Sequence, residues 1–270
     1  VNEAEETGQI RLAIAGAATL NGREALRSLG QWKEAIILLA IDQTDIGQKT
    51  RALAGGRAPD LIIEEKLGAA LDREHCDILV DFSHAAAALS HGVSALKRGV
   101  VPVLNASFSG PELRELSAAS RDSDLPALVV PHLSLAEVLS LFVARWTARW
   151  MVDLEVLDVH PDHRQQTASP MAKDLAEAIA VGWAERDLAL SGGINSDPTR
   201  TWEDVRTHLL RMKGAHVRQE IRSGGSGESV NISYEPKDTT AIVEGLKVAI
   251  FRVRSLKGVT VGLEKLLFEK

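Results

Sequence analysis

Short apolar runs alternate with helix-like runs through the first half of this chain. That alternation restricts the fold more than any other feature. Residues 10–15, 35–41, 61–64, 77–82, 100–104 and 127–130 read as strands. Residues 22–29, 67–72, 85–98 and 111–121 read as helices between them, the third capped by Gly99. The run 35–41 is apolar at every position, as in a strand buried on both faces. Strand, crossover helix, strand in repetition predicts a Rossmann-like, doubly wound parallel α/β sheet. A more polar stretch, 43–59, carries Gly47, Gly55 and Gly56 and interrupts the rhythm.

The pattern changes after Pro131. Residues 135–151 form a long helix pattern with Trp146 and Trp150 on one face, and 154–159 alternate as a strand. A polar loop follows, then a helix pattern from Ala172 to Trp183, a loop over 191–198, and a stretch from Trp202 to Leu210 that reads as helical. Residues 216–221 and 228–234 alternate as strands around an Arg-Ser-Gly-Gly-Ser-Gly turn, and 240–254 close the chain as a helix. The expected organisation is a dinucleotide-binding domain over 1–131 and an α+β substrate and oligomerisation domain with an open mixed sheet over 132–239. A C-terminal segment, 240–270, then returns to the first domain.

Composition excludes several classes. With 270 residues and 45% hydrophobic content the chain can build one large core or two modest ones. A formal charge of −6 argues against a nucleic-acid backbone as partner. The single cysteine, Cys76, rules out an internal disulfide and a Cys-based zinc site within one chain, and fits a reducing, cytoplasmic setting. No apolar run is long enough for a membrane span. The acidic, polar start is not a basic-then-apolar signal peptide and reads as a disordered tail.

The first strand runs into Gly16-Ala-Ala-Thr-Leu-Asn-Gly22. A dinucleotide turn uses a first glycine for the tight turn and a last one for close helix–sheet packing, with the pyrophosphate at the helix N-terminus. Thr19 stands where the middle glycine is wanted, so its side chain is expected to crowd the phosphate approach. Asp42 ends the second strand about 20 residues on, where an acid binds ribose hydroxyls and repels a 2′-phosphate, which favours NADH over NADPH. Phe82 and Ser83 end the fourth strand, and Asn105 and Ser107 the fifth. They and His132 sit at the strand ends that face a ligand in such sheets, with helix capping as the plain alternative for Asp81 and Ser83.

A second concentration of chemistry is Asp158-Val-His-Pro-Asp-His-Arg-Gln-Gln-Thr-Ala-Ser-Pro-Met171, between a strand and a helix. His160 and His163 lie three apart beside Asp158 and Asp162, but no third histidine stands at helical spacing, so a metal site is not expected.

In order and spacing these pieces resemble the dihydrodipicolinate reductase family of lysine biosynthesis. The family's G-A-x-G-R-M-G-R falls on Gly16–Arg23, its D-F-[ST]-x-P is similar to Asp81–Ala85, and its G-T-T-G falls on Asn105–Phe108. Its A-x-N-x-S-x-G-V falls on Val130–Glu137, and its E-x-H-H-x-x-K-x-D-x-P-S-G-T-A on Asp158–Ala172. The likeness spans nearly the whole chain and includes Gly245. It implies the NADH- or NADPH-dependent reduction of a C=C or C=N bond in a small acidic substrate, possibly a cyclic imino acid, in a homotetramer. Thr19, Leu20 and Asn21 then join Gly16 and Gly22 at the cofactor. His160 and Arg164 become the catalytic pair, and His163 and Ser169 substrate contacts.

The departures lie at the chemistry. Pro161 replaces the family's second histidine, Arg164 its lysine, and Pro170 and Met171 the Gly-Thr of its carboxylate cradle. Arginine clamps carboxylates well but is a poor proton donor, and proline removes an N–H. After the family's V-R-A-G-D the chain reads Arg218-Gln-Glu-Ile-Arg-Ser-Gly-Gly, several residues shorter, and the arginine of the late H-x-x-S-R-x-x-F is missing. Two outcomes are open: a reductase with an altered substrate, or a non-catalytic relative that binds, regulates or assembles.

Overall fold

The structure, a computed structural model, describes residues 8–151, 153–161, 167–191 and 204–268, with the side chains of 187–191 left aside. The expected N-terminal tail, His163, Arg164, most of the 191–198 loop and Trp202 lie outside the described residues. The chain divides into two compact units, Val1–Leu135 with Thr239–Lys270, and Ala136–Asp238.

The first unit is a seven-stranded parallel sheet. Its strands are β1 (Ile10–Ala15), β2 (Ala35–Ile41), β3 (Ile63–Glu64), β4 (Ile78–Asp81), β5 (Val101–Leu104), β6 (Ala127–Val129) and, late in the chain, β11 (Val259–Val261). They lie in the order β11-β6-β5-β4-β1-β2-β3, with β1 between β2 and β4. Strand order therefore reverses beside β1, the crevice where open α/β sheets hold ligands. The crossovers carry α1 (Leu20–Leu29), α2 (Thr50–Ala54), α3 (Leu67–Arg73), α4 (Ala85–Leu96) and α5 (Gly110–Ser123). Leu12, Ile14, Ile78, Leu79 and Leu128 are fully buried, which is why these strands are nearly continuous in apolar residues.

Four elements here differ from the expectation. The polar stretch 43–59 contains α2, whose Thr50 hydroxyl donates to the Pro59 carbonyl and fastens the surrounding loop. The closing helix is shorter: a 3-10 turn at Thr239–Ile242 leads into α8 (Val243–Arg252). The seventh strand and α9 (Glu264–Phe268) were not foreseen, because a three-residue edge strand is too short to show alternation. A Cβ on Gly245 would overlap the Leu133 carbonyl, so glycine there lets α8 lie against that backbone.

The second unit holds α6 (Leu135–Ala148, its first residue in the other unit), β7 (Asp153–His160), α7 (Pro170–Ser191), β8 (Arg206–Arg211), β9 (Arg218–Gly225) and β10 (Glu228–Tyr234). Its sheet is mixed, β10-β9-β7-β8, with β8 parallel and β9 antiparallel to β7. The helix expected to end at Leu210 is instead β8, with Glu155–His160 paired residue for residue to Arg206–Arg211. As an edge strand it buries little, so its sequence lacks a clear period and the pairing with β7 decides its form. Leu154, Val156 and Ile221 on one sheet face pack with Ala144, Ala148, Leu175, Ile179 and Trp183 of the helices. Trp183 is core, whereas Trp146 and Trp150 meet edge-on with centroids 6.4 Å apart and stay more than half exposed.

Candidate functional site

In the first unit the turn after β1 is set by steric exclusion. Gly16 has φ of 67°, and a Cβ on it would stand 2.6 Å from the Ser83 nitrogen and closer still to the Phe82 carbonyl carbon. A Cβ on Gly22 would overlap the Gly16 carbonyl oxygen. Both glycines therefore do what a dinucleotide turn asks of them. Thr19, between them, is the N-cap of α1: its hydroxyl donates to Gly16 O at 2.7 Å and accepts from Gly22 N at 3.0 Å. The threonine thus does more than crowd the turn, for it occupies one of the amides a phosphate would use. Leu20 and Asn21 supply the next N–H groups of the helix start.

Asp42 locks this turn to β2. Its Oδ2 accepts from Ala18 N at 2.8 Å, and its Oδ1 from the Thr44 amide and hydroxyl at 2.9 and 3.0 Å. A cavity of about 170 Å³ opens beside it, lined by Gly16, Thr19, Asp42, Glu65, Ser83 and His91, among others. Asp81, wholly buried, accepts from Ser83 N at 2.6 Å and meets His91 Nδ1 at 2.7 Å. The capping alternative thus takes another form: His84 is the N-cap of α4, accepting from Ala87 N. Phe82 is buried with its backbone against Gly16. Asn105 donates to the carbonyls of Val130 and Pro131 at 2.8 and 3.1 Å and faces Asn21 Nδ2 at 3.5 Å. Ser107 is exposed in the loop after β5, and His132 follows β6. A pair of glycines only glycine can fill, two open helix amides and an acid at the β2 end fit a dinucleotide.

In the second unit the chemistry converges on Asp158, fully buried near the end of β7. Its Oδ1 faces His160 Nε2 at 3.0 Å and accepts from Ser169 Oγ and Gln219 Nε2, each at 2.9 Å. Its Oδ2 accepts from Ser169 N at 2.9 Å and Arg211 Nη2 at 3.0 Å. Arg211 also donates to the carbonyls of Asp158 and Thr167 at 2.6 and 2.9 Å, gathering the end of β7 and the approach to α7. Burial pushes the Asp158 carboxyl up, but hydrogen bonds from Gln219, Ser169 and Arg211 outweigh it and hold the group below the usual carboxylate range. Among the described residues His160 Nδ1 and Gln219 Oε1, both buried, have no hydrogen-bond partner.

Ser169, expected to hold a substrate carboxylate, spends its N–H and its hydroxyl on Asp158 and caps α7 by accepting from Ala172 N at 3.2 Å. Pro170 is the first residue of α7, where its missing N–H costs nothing, and Met171 is buried in the core. The sequence argument missed Arg211 and Gln219. Both lie on strands beside β7, and with 206–211 taken as a strand the alternation would have set Arg211 on the Asp158 face. His84 and His91, which also line the cavity beside Asp42, were not among the sequence candidates either. Among the described residues no cluster of three His, Cys, Asp or Glu is placed to hold a metal ion. Nor is any described helix long and apolar enough to cross a membrane.

Comparison with known proteins agrees with both units. Residues 10–132 match the family model described as dihydrodipicolinate reductase, N-terminus, and residues 135–267 its C-terminus. A 4-hydroxy-tetrahydrodipicolinate reductase of Moorella thermoacetica is 32% identical over 267 residues, 96% of this chain and 98% of the relative. The enzyme of that name from Geobacillus kaustophilus is 26% identical over 266 residues, 96% of this chain and 99% of the relative. Among solved structures, the dipicolinate-bound dihydrodipicolinate reductase of Paenisporosarcina sp. TG-14 shares the fold with a TM-score of 0.76 at 20% identity, covering 95% of this chain and 99% of that one. The amine dehydrogenase of Mycobacterium smegmatis has a TM-score of 0.63 at 13% identity, covering 93% and 94%.

Proposed function

Because the chain belongs to the dihydrodipicolinate reductase family of NAD(P)H-dependent reductases, we propose that it uses NADH to reduce a C=N or C=C bond of a small acidic substrate whose carboxylate is held differently from the family pattern. The observation that carries the cofactor preference is the pair of acids, Asp42 and Glu65, lining the cavity beside the glycine turn. An acid at the end of β2 accepts ribose hydroxyls and repels a 2′-phosphate. Gly16, Leu20, Asn21 and Gly22 would take the pyrophosphate, and Ser83, Asn105, Ser107 and His132 the region of the strand ends. Bound there, the nicotinamide supplies a hydride.

His160 supports the other half of the reaction. Reduction adds hydride at carbon and a proton at the neighbouring atom, and an imidazole can carry that proton. Arg164 and His163 are its proposed partners, the first as a carboxylate clamp and the second as a substrate contact. The altered substrate is argued from Ser169, Pro170 and Met171: two donors turned to Asp158, one absent and one side chain buried. A cyclic imine with a single carboxylate suits that loss better than 4-hydroxy-tetrahydrodipicolinate, the substrate named for the relatives. NADH oxidation measured with 4-hydroxy-tetrahydrodipicolinate and with a monocarboxylate cyclic imine side by side decides this. Higher kcat/KM on the monocarboxylate is expected, and the reverse order removes the altered-substrate half. Titration with NADH and NADPH is expected to show tighter NADH binding, and Asp42→Ala to narrow the gap.

The proposal includes a homo-oligomer, a tetramer by the family likeness. The sheet face of the second unit turned from its helices carries Arg206, Glu155, Arg222 and Glu220 in ion pairs, with Leu157 and Leu210 beside them. A row of both signs with apolar residues can meet a second copy of itself; light scattering on the eluting protein reads its mass. A cytoplasmic setting accords with the buried Cys76, whose thiol burial pushes up to about 12 and keeps unreactive.

A further inference from the structure

We propose that Asp158 is a positioning residue for His160: it fixes the imidazole as the Nε2–H tautomer and leaves Nδ1 as the atom that exchanges the substrate's proton. The inference rests on the reading of His160 as proton carrier. It identifies which ring nitrogen acts and what makes it act.

Asp158 Oδ1 stands 3.0 Å from His160 Nε2. A buried, ionised carboxylate only accepts, so Nε2 must carry hydrogen. The same orientation serves the neutral ring and the imidazolium, and in both the opposite atom, Nδ1, points away from the carboxylate. His160 is almost wholly buried, yet among the described residues Nδ1 has no partner. Buried polar atoms are rarely left so. No described residue supplies its partner, and the proposal assigns that place to the substrate. Gln219 Oε1, buried and without a partner among the described residues, belongs to a side chain whose amide nitrogen donates to Asp158 Oδ1 and stands 3.3 Å from His160 Nε2, two donors that share one acceptor. With Nε2–H set, both vacant atoms are acceptors toward a neutral ring, which suits a ligand N–H or O–H. Protonated, Nδ1–H donates one proton to the substrate and returns to the neutral Nε2–H form without any reorientation of the ring.

The partners of Asp158 make the assignment testable. Oδ2 receives a backbone N–H and a guanidinium, neither of which can accept. In Asp158→Asn the side-chain carbonyl must therefore occupy the Oδ2 position, and the new amide nitrogen faces His160. That amide nitrogen accepts nothing and has two hydrogens, one for Ser169 Oγ, which can turn to accept it, and one for His160 Nε2. The ring is therefore expected to change to the Nδ1–H tautomer. A histidine held in the wrong tautomer loses on the order of 10⁴ in kcat in the serine-protease triad. A loss of about 10²-fold or more is expected here, with KM within about threefold.

The experiment is nitrogen NMR on protein labelled with 15N-histidine, at a pH where the ring is neutral, beside steady-state kinetics. Wild type is expected to show His160 as Nε2–H, and Asp158→Asn as Nδ1–H with the fall in kcat. An Nδ1–H tautomer in the wild type overturns the proposal, and it does so even if the variant fails to fold. An Asn variant that switches tautomer yet keeps kcat within twofold overturns it equally. Gln219→Leu, which leaves the carboxylate–imidazole contact, is expected to keep the Nε2–H tautomer; its loss would move the positioning role from Asp158 to Gln219. If the wild type shows Nε2–H but reduces no substrate, the reading of the function fails and the tautomer assignment stands.

Discussion

The glycine turn of the first unit and the Asp158 cluster of the second are both polar sites at strand ends, but they are held by opposite means. The turn is shaped by what cannot fit: Gly16, against the backbone of Phe82 and Ser83, and Gly22, against Gly16, leave no room for a side chain. The Asp158 cluster is made by what must be present. Five contacts from four residues, on β7, β8, β9 and at the cap of α7, converge on one buried carboxylate. An exclusion-built site tolerates loss of a side chain and fails when one is added. A convergent, charge-built site fails when one is removed.

The sharpest test of that contrast is removal at the second site. Asp158→Ala takes away the carboxylate buried beside Arg211, and breaking such a pair costs about 3–5 kcal/mol. Thermal melting is expected to show a large drop, and a change under about 0.5 kcal/mol would show that the cluster is not held by charge. Addition at the first site comes next. Gly22→Ala forces a Cβ into the Gly16 carbonyl and is expected to cost about 3 kcal/mol and to abolish NADH binding, read by fluorescence titration.

Acid sharpens the comparison further. The Asp158 carboxyl is lower in the folded chain than in the unfolded one. Its contribution is therefore complete above the unfolded value, about 3.9, and is lost as pH falls through the folded value. Asp77, held low by Arg11 against its own burial, behaves the same way in the first unit. Urea midpoints measured at pH 7 and below 4 are expected to fall less in Asp158→Asn and in Asp77→Asn than in wild type. An equal fall would show that neither carboxylate is linked to acid unfolding. The smallest effect belongs to Thr19. Thr19→Ala removes the cap of α1 and costs about 1 kcal/mol, whereas Thr19→Gly costs only a few tenths. The glycine variant frees the Gly22 amide, and NADH is expected to bind several-fold more tightly. Unchanged affinity would show that the threonine hydroxyl does not compete with phosphate.

The same contrast explains what the sequence disclosed. Gly16, Gly22 and Asp42 were legible because a turn, a helix start and a strand end follow one another within a short stretch, and each has its own residue signature. Arg211 and Gln219 were not, since their place beside Asp158 depends on the register of β8 and β9 against β7, which no local pattern prints. Ser169 was misplaced for a related reason. Its hydroxyl suits a substrate carboxylate as well as it suits Asp158, and only the fold shows which one it meets. The role of Thr19 as a cap needed the helix to begin at Leu20, two residues before the expected start.

The central claim is that this chain is an NADH-dependent reductase whose proton passes through His160. NADH oxidation, followed at saturating cofactor with the proposed cyclic imino acids, for wild type and for His160→Ala, tests it most directly. The account expects turnover by the wild type and a loss of about 100-fold or more in kcat in the variant, with NADH affinity retained in the folded protein. No turnover of any such substrate by the wild type, or equal turnover by the variant, would contradict it.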